Sequence, residues 1–305
     1  MRSLFATVFL FLYACTFSLS AQNFFTEIKE SDLKSSLFYE EKKKDPNETT
    51  FDNRGLMFGL NLGMLKANGY NANYYNGSSK NVNTINYILN NQYYYNDIRR
   101  ELNNRDFELY ELPSQMKFDL TLSVGFYLRY LLNQHNGFFI QFNYAKLSTN
   151  DVFTLKIDSA NFTSEPSLRL YNIYGQEERT YIDFGFHHEN RLGNKTNWFI
   201  ETGFNINSTK VLKSGITIGS LDYSIINVYG SQGYVPGSGV SPYSVTQTGI
   251  GYGFFGTAGI RLLFNEYVSI DPYMSLYYQR TGLDGYSDFK LSYTFMVRIL
   301  LRNFL

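Results

Sequence analysis

The chain has 305 residues, among them 27 phenylalanines and 27 tyrosines, and its 27 lysines and arginines balance its 27 aspartates and glutamates. A balanced charge provides no basic surface of the kind that nucleic acids require, so we expect no nucleic-acid partner. Six prolines against 24 glycines favour strands and turns over long helices.

Residues 1–21 have the features of a cleaved export signal. Arg2 supplies a positive start, residues 4–14 are apolar, and the small Ala21 permits cleavage before Gln22. The apolar run is too short for a transmembrane helix, which needs about 20 residues. We therefore predict an exported protein.

Cys15 allows a second interpretation of this segment. Residues 12–15 resemble a lipobox in which Cys15 would be lipidated, although Tyr13 is bulky for that motif. Cys15 is the only cysteine, so cleavage after Ala21 would leave a mature chain without disulfides or thiolate chemistry.

Residues 22–53 differ from the rest of the chain because they are rich in charge and lack strand alternation. We interpret them as a solvated periplasmic leader. Phe25, Ile28, Leu33 and Leu37 have a loose helical spacing, so an amphipathic helix that docks on a periplasmic partner is the alternative.

Long alternating strands dominate the remainder, and residues 116–130 are the clearest case. Every even-numbered residue from Met116 to Tyr130 is apolar, while the odd-numbered ones are polar or small. Soluble strands average about 5–6 residues, whereas a strand that crosses a bilayer needs roughly 9–11. Eight such strands are predicted: 54–64, 116–130, 138–145, 180–190, 198–211, 248–264, 267–280 and 289–302.

The connections between these strands alternate in length, which is typical of bacterial outer-membrane barrels. Long extracellular loops are predicted at about 65–114, 151–178 and 212–247, and short turns on the periplasmic side. Within the second loop, continuation of the strands as a hairpin above the membrane, through 152–157 and 168–171, is the alternative. We therefore predict an all-β fold, an eight-stranded antiparallel transmembrane β-barrel spanning residues 54–305, in the outer membrane of a Gram-negative cell. A soluble β-sandwich is the alternative. Pro272 cannot donate a ladder hydrogen bond, so we expect a bulge or irregular pairing there.

Charged residues at inward positions of the predicted strands form a candidate lumen network. An eight-stranded barrel has an interior just wide enough for side chains, and a buried charge must be paired. We therefore expect an ionic plug instead of an open pore. The predicted members are Arg129, Asp183, Glu189, Glu201, Arg261, Asp271 and Arg298.

His187 and His188, with Glu189 and Glu201, could indicate acid–base catalysis by a lipid-modifying enzyme. Only one of two adjacent histidines can face the lumen, and no serine lies at an activating spacing. We therefore expect a histidine in a polar network, no enzymatic activity, no metal site and no cofactor.

The insertion at 65–114 is rich in tyrosine and asparagine, residues that recognition surfaces use. A solvated loop of biased composition is the alternative. The candidate partner-binding residues are Tyr74, Tyr75, Tyr93, Tyr94 and Tyr95.

Two segments, residues 59–63 (GLNLG) and the last alternating strand ending at 302–305 (RNFL), resemble the PorT-like porin family of outer-membrane β-barrels. The resemblance implies a small barrel of roughly eight strands, and the namesake of the family is linked to type IX protein secretion. The aromatic-rich last strand also resembles the signal that barrel-assembly machinery reads during biogenesis.

The leading functional hypothesis is a non-enzymatic scaffold or accessory subunit of an outer-membrane assembly, with a possible secretion role. It would recognise an outer-membrane or periplasmic protein through the 65–114 insertion or the leader, and its barrel would contact outer-membrane lipid. A narrow porin for small solutes and a lipid-modifying enzyme are the alternatives.

Overall fold

The computed structural model describes residues 55–159, 165–226, 247–265 and 267–302. The predictions of a signal sequence, of a lipidated Cys15 and of a leader at 22–53 lie outside these residues. The described strands are β1 (Gly55–Lys66), β2 (Phe107–Glu111), β3 (Thr121–Leu131), β4 (Asn136–Ile157), β5 (Ser167–Gly193), β6 (Thr196–Ile218), β7 (Leu221–Ser224), β8 (Thr248–Leu263), β9 (Val268–Gln279) and β10 (Lys290–Arg302).

Eight of these strands close into a ring in which every neighbouring pair is antiparallel. The order is β1, β3, β4, β5, β6, β8, β9 and β10, and β10 pairs back with β1. A closed ring leaves no strand edge in which backbone groups lack partners. The predicted all-β fold, an eight-stranded antiparallel β-barrel, is confirmed.

The outer surface of the ring carries an apolar belt. On β3, Leu122, Val124 and Phe126 are exposed, whereas Ser123 and Tyr127 between them are buried. The same alternation occurs on the other seven strands. Among the described residues, none of the helices has the length and apolar character needed to cross a membrane.

The alternation changes phase just before β3 begins, where the prediction for 116–130 was partly wrong. Met116 and Phe118 were expected on the outer face, but both are buried. The regular strand begins only at Thr121, and Phe118 forms an isolated bridge with Thr149 instead. Both side chains pack into the core described below.

Three strands are much longer than predicted. β4, β5 and β6 continue beyond the ring, so segments 151–157, 167–178 and 212–218, which were assigned to long loops, are strands. The alternative of a hairpin that continues through 152–157 and 168–171 agrees with this. In this region β2 pairs with β4, and β7 pairs with β6. We call this five-stranded extension, in the order β2-β4-β5-β6-β7, the upper sheet.

The insertion at 65–114 is folded and not an exposed loop. It contains α1 (Gly69–Ala72), a 3₁₀ turn (Asn73–Tyr75), α2 (Asn86–Leu89) and α3 (Gln92–Glu101). The Asn91 side chain caps α3 by accepting from the Tyr93 N–H, and the helix is followed by Asn103 and Asn104 at positive φ. We call residues 68–104 the plug.

The plug is held by a hydrophobic core against the inward face of the upper sheet. Its contribution to the core is Ala72, Tyr74, Tyr75, Ile85, Ile88, Leu89, Ile98 and Leu102. The strands contribute Leu147, Phe153, Leu155, Ile157, Ile173, Val211, Ile216 and Ile218. The plug therefore fills the end of the barrel from which the upper sheet extends.

Pro272 is accommodated without a register shift. It pairs with Val297 of β10 in the regular ladder. Towards β8 the pairs stop at Gly259–Tyr273 and resume at Leu262–Ile270 in the same register. The expected irregularity is thus a local interruption on one side, and no bulge forms.

Candidate functional site

The centre of the lumen contains a buried ion pair between Arg298 and Glu201. The Nη1 and Nη2 atoms of Arg298 lie 3.0 and 3.1 Å from Oε1 and Oε2 of Glu201. The Tyr127 hydroxyl donates to the same carboxylate at 2.5 Å. This bidentate geometry is the strongest form of an arginine–carboxylate interaction, and it offsets part of the free-energy cost of burying both charges.

His187 connects this pair to Arg129 and Glu189, which lie further from the plug. Its Nδ1 lies 2.9 Å from Glu201 Oε1, and its Nε2 lies 2.8 Å from Nη1 of Arg129. A neutral ring with its proton on Nδ1 satisfies both contacts, because it donates to Glu201 and accepts from Arg129. The ring also stacks on Phe199.

Glu189 and Asp271 share Arg261 in the part of the lumen furthest from the plug. Arg261 donates to Glu189 through Nη1 and to Asp271 through Nη2, the latter at 3.1 Å. Arg129 also lies 3.6 Å from Glu189, and the Ser269 hydroxyl donates to Asp271 at 3.0 Å. Each of these buried carboxylates therefore has at least one cationic neighbour.

Asp183 is held by neutral donors instead of a cation. Gln141 and Tyr277 donate to its Oδ2 at 2.7 and 2.9 Å, and Asn205 donates to its Oδ1. Gln141 Oε1 in turn accepts from Arg298 at 3.4 Å. Asp183 is thus linked to the central ion pair through an amide.

The structure brings all seven predicted lumen residues into one buried region. With Arg302, which is also buried, four arginines face four carboxylates. His187 lies in this polar network, as the sequence predicted for the inward-facing histidine. Tyr127 and Gln141 were not among the predicted members, although both were at inward positions of the predicted strands. Charge balance of this kind makes the lumen close to neutral.

Aromatic rings fill the remaining space around the charges. The Arg298 guanidinium carbon lies 3.4 Å from the centroid of Tyr127 and 4.5 Å from that of Tyr273. Phe139, Phe255 and Tyr277 pack as a further cluster. Charged side chains and rings together occupy the lumen, as expected for a barrel of this size.

This environment does not resemble a nucleophilic catalytic site. The polar side chains in contact with the His187 ring within the described residues are Arg129, Glu189 and Glu201. None of them is a serine, threonine or cysteine that the ring could activate. His188 lies on the other face, where its ring contacts Trp198.

A second buried polar group anchors the plug to β5. The Tyr75 hydroxyl donates to Glu177 Oε2 at 2.6 Å, and Arg179 Nε donates to Glu177 Oε1 at 2.5 Å. Burial raises the pKa of Tyr75 well above its usual value, and the neighbouring Glu177 carboxylate raises it further. The hydroxyl therefore remains a donor. The Arg179 guanidinium lies 5.1 Å from the Phe118 ring centroid.

Further hydrogen bonds tie the plug to segments distant in sequence. The side-chain amides of Asn83 and Gln247 exchange two hydrogen bonds of 2.8 Å, and the Tyr74 hydroxyl donates to Gln247 at 2.9 Å. At the other end of the plug, Glu101 accepts from the Ser220 backbone N–H at 2.9 Å. The plug is therefore attached on several sides.

The five tyrosines predicted to bind a partner do not form one surface. Tyr74 and Tyr75 are 2% and 0% exposed, contrary to the prediction, because the plug turns them into the core. Tyr93 is 78% exposed. Tyr94 packs on Tyr223, and Tyr95 stacks on Phe107 while donating to Asp106 at 3.0 Å.

No family model and no curated protein matches this chain. The PorT-like resemblance therefore stays a prediction. Solved outer-membrane proteins are similar in structure, each over 81% of this chain. They are Neisserial surface protein A (NspA; 8% identity, TM-score 0.37, 96% of that chain), Ail of Yersinia pestis in complex with sucrose octasulfate (10%, 0.31, 98%) and OprG from Pseudomonas aeruginosa (9%, 0.37, 95%).

Proposed function

We propose that this chain is a non-enzymatic outer-membrane β-barrel, closed to solutes, that acts as a scaffold or accessory subunit. Its extracellular upper sheet and the outer side of the plug would bind a protein partner. The observation that carries the proposal is the double closure of the barrel, by the lumen network and by the plug above it.

The apolar belt supports the outer-membrane location. Large apolar side chains such as Phe126, Phe142 and Phe254 are exposed around the ring, whereas the lumen is polar. This arrangement is unfavourable in water, because soluble monomers rarely expose contiguous apolar patches beyond a few hundred Å². In a bilayer the same belt contacts lipid, as in bacterial barrels.

The lumen contacts argue against the narrow-porin alternative. A porin needs a continuous water-filled path, but Arg298, Glu201 and Tyr127 meet across the middle of this barrel. Tyr75 and its neighbours in the plug would then obstruct the extracellular end. The enzyme alternative is weakened by the partners of His187, which lack a nucleophile.

Exposed apolar residues on the outer face of the upper sheet favour partner binding there. Polar residues follow the apolar belt, and a second group of exposed apolar residues lies beyond them on the upper sheet. This group consists of Tyr110, Val152, Leu168 and Leu170. Neighbouring apolar side chains at the surface of a soluble domain commonly mark an interaction site. A secretion role, as implied by the PorT-like resemblance, would be one case of this function, and the barrel-assembly machinery would act during biogenesis.

The proposal is tested by affinity purification of the tagged full-length protein from native outer membranes. We expect a protein partner to be retained by the wild type, lost with L168S/L170S, and retained with L192S, which removes an exposed leucine at the opposite end. Absence of any specific partner for the wild type would overturn the scaffold role. A stable, large conductance in planar bilayers would overturn the closed barrel.

A further inference from the structure

Lysines occupy outward positions directly beyond the apolar belt on β4 and β6, the two strands that flank β5. On β4, Lys146 follows Phe142 and Tyr144 on the same face. On β6, Lys210 follows Ile206 and Ser208 in the same way. Lys213 lies two pairs further along, beyond a register shift between β5 and β6. All three lysines are exposed.

The strand register brings two of these lysines close together. Lys146 lies opposite Glu178 of β5, and Glu178 lies opposite Lys210 of β6. Adjacent strands are about 4.8 Å apart, so the Cα atoms of Lys146 and Lys210 are separated by about 10 Å. Their flexible side chains can converge on one group between them. Within the described residues none of the three lysines makes an ion pair.

The height of this cluster matches the edge of a bilayer. Lys146 is ten residues along β4 from its first residue, Asn136. At about 3.3 Å per residue and a tilt of about 40°, this corresponds to roughly 25 Å, the height of the apolar band in such barrels. The ammonium groups would therefore lie at the level of the outer lipid headgroups, while their methylene stems cover apolar surface.

We propose that Lys146, Lys210 and Lys213 bind the phosphate groups of outer-leaflet lipid. Glu178 lies between Lys146 and Lys210 and confines the bound phosphate to one side of the site. This inference rests on the proposed membrane location. It is supported by charge complementarity, since three cations face one carboxylate, and by continuity with the lipid-facing belt. Ammonium groups bind phosphate as point charges and attract anionic headgroups near a membrane surface.

The test uses the full-length protein reconstituted in phosphatidylcholine vesicles that contain either lipid A or dephosphorylated lipid A. The two lipids have the same acyl chains, so a difference between them reports the phosphates. The lipid retained after detergent extraction is counted by native mass spectrometry. The variants are K146Q/K210Q/K213Q and, as a matched control, K80Q/K156Q/K195Q, which removes three lysines elsewhere.

We expect the wild type and the control to retain lipid A in preference to its dephosphorylated form. The K146Q/K210Q/K213Q variant should lose this preference, with affinity falling roughly five-fold per lysine, the factor for about 1 kcal/mol at a membrane surface. Heat-modifiable migration confirms that each variant is folded. If the wild-type protein inserts into the vesicles but retains both lipids equally, the proposed phosphate binding is overturned and the membrane location is not. Failure of the wild type to insert would overturn the membrane location as well.

Discussion

Arg298 of β10 and Glu201 of β6 meet across the lumen through two hydrogen bonds of 3.0 and 3.1 Å. The two strands are not neighbours in the ring, because β8 and β9 lie between them. The pair therefore spans the interior of the barrel. It closes the lumen below the plug and independently of it.

Glu201→Gln should destabilise the barrel strongly. The substitution removes the charge that Arg298 faces and a carboxylate oxygen that accepts from Tyr127. Leaving one member of a buried pair without its partner costs about 3–5 kcal/mol. Urea unfolding in lipid vesicles measures this loss. The control is Glu111→Gln, an exposed carboxylate on β2, and it should change stability by less than about 0.5 kcal/mol.

Gly175→Ala should displace the plug while leaving the ring intact. A Cβ at Gly175 would lie 2.2 Å from Cγ of the Tyr75 ring, so the ring must move. The Tyr75–Glu177 hydrogen bond should then be lost. We expect faster proteolysis within residues 68–104 but unchanged heat-modifiable migration. Gly256→Ala is the matched control, since a Cβ there has no atom within 4 Å. Equal protease resistance of both variants would contradict the close packing of Tyr75.

The ring of strands was predictable because the environment on each side of it is uniform. Lipid on one side and a polar lumen on the other require strict alternation, which residues 120–130 preserve. Arg129, Glu201 and Arg298 could be assigned to the lumen for the same reason.

The strands beyond the ring were harder to predict because the polarity of their two faces reverses there. The inner face packs on the plug, so the apolar Leu147, Phe153 and Leu155 point inwards. A search for outward-facing apolar residues interprets this reversal as the end of the strand. Met116 and Phe118 are buried for a different reason, because they precede the regular strand that begins at Thr121.

The plug was obscured by its composition. Its core residues Ile85, Ile88, Ile98 and Leu102 are separated by polar asparagines and tyrosines, and they occupy helices that are mostly a single turn long. Such helices show no extended periodicity and depend on tertiary packing. Tyr74 and Tyr75 therefore could not be distinguished from surface tyrosines by sequence alone.

Leu60→Cys with Ile299→Cys should form a disulfide that closes β1 onto β10. The two residues are direct partners in the ladder, and directly opposed residues lie within the range of disulfide geometry. The pair is tested in a Cys15→Ser background by a shift in non-reducing gel migration after oxidation. Leu60→Cys with Leu291→Cys is the control, since Leu291 lies far along β10 from that pair. Efficient cross-linking of the control, or none of the first pair, would contradict the register.

Asn83→Ala should loosen the plug without affecting the barrel. The Asn83 side chain is buried and exchanges two hydrogen bonds with Gln247, which also accepts from Tyr74. Loss of these bonds in a buried site costs about 1–3 kcal/mol, and the cost should fall on the local opening of the plug. Hydrogen–deuterium exchange measures it: amides of the plug should exchange roughly 5- to 150-fold faster, the factor that corresponds to this free energy, while those of β8 and β9 remain unchanged. Asn96→Ala, on the exposed side of α3, is the matched control and should leave both rates as they are. Faster exchange in the ring as well as the plug would show that the two unfold together, and an unchanged plug would show that the Asn83–Gln247 contact does not hold it.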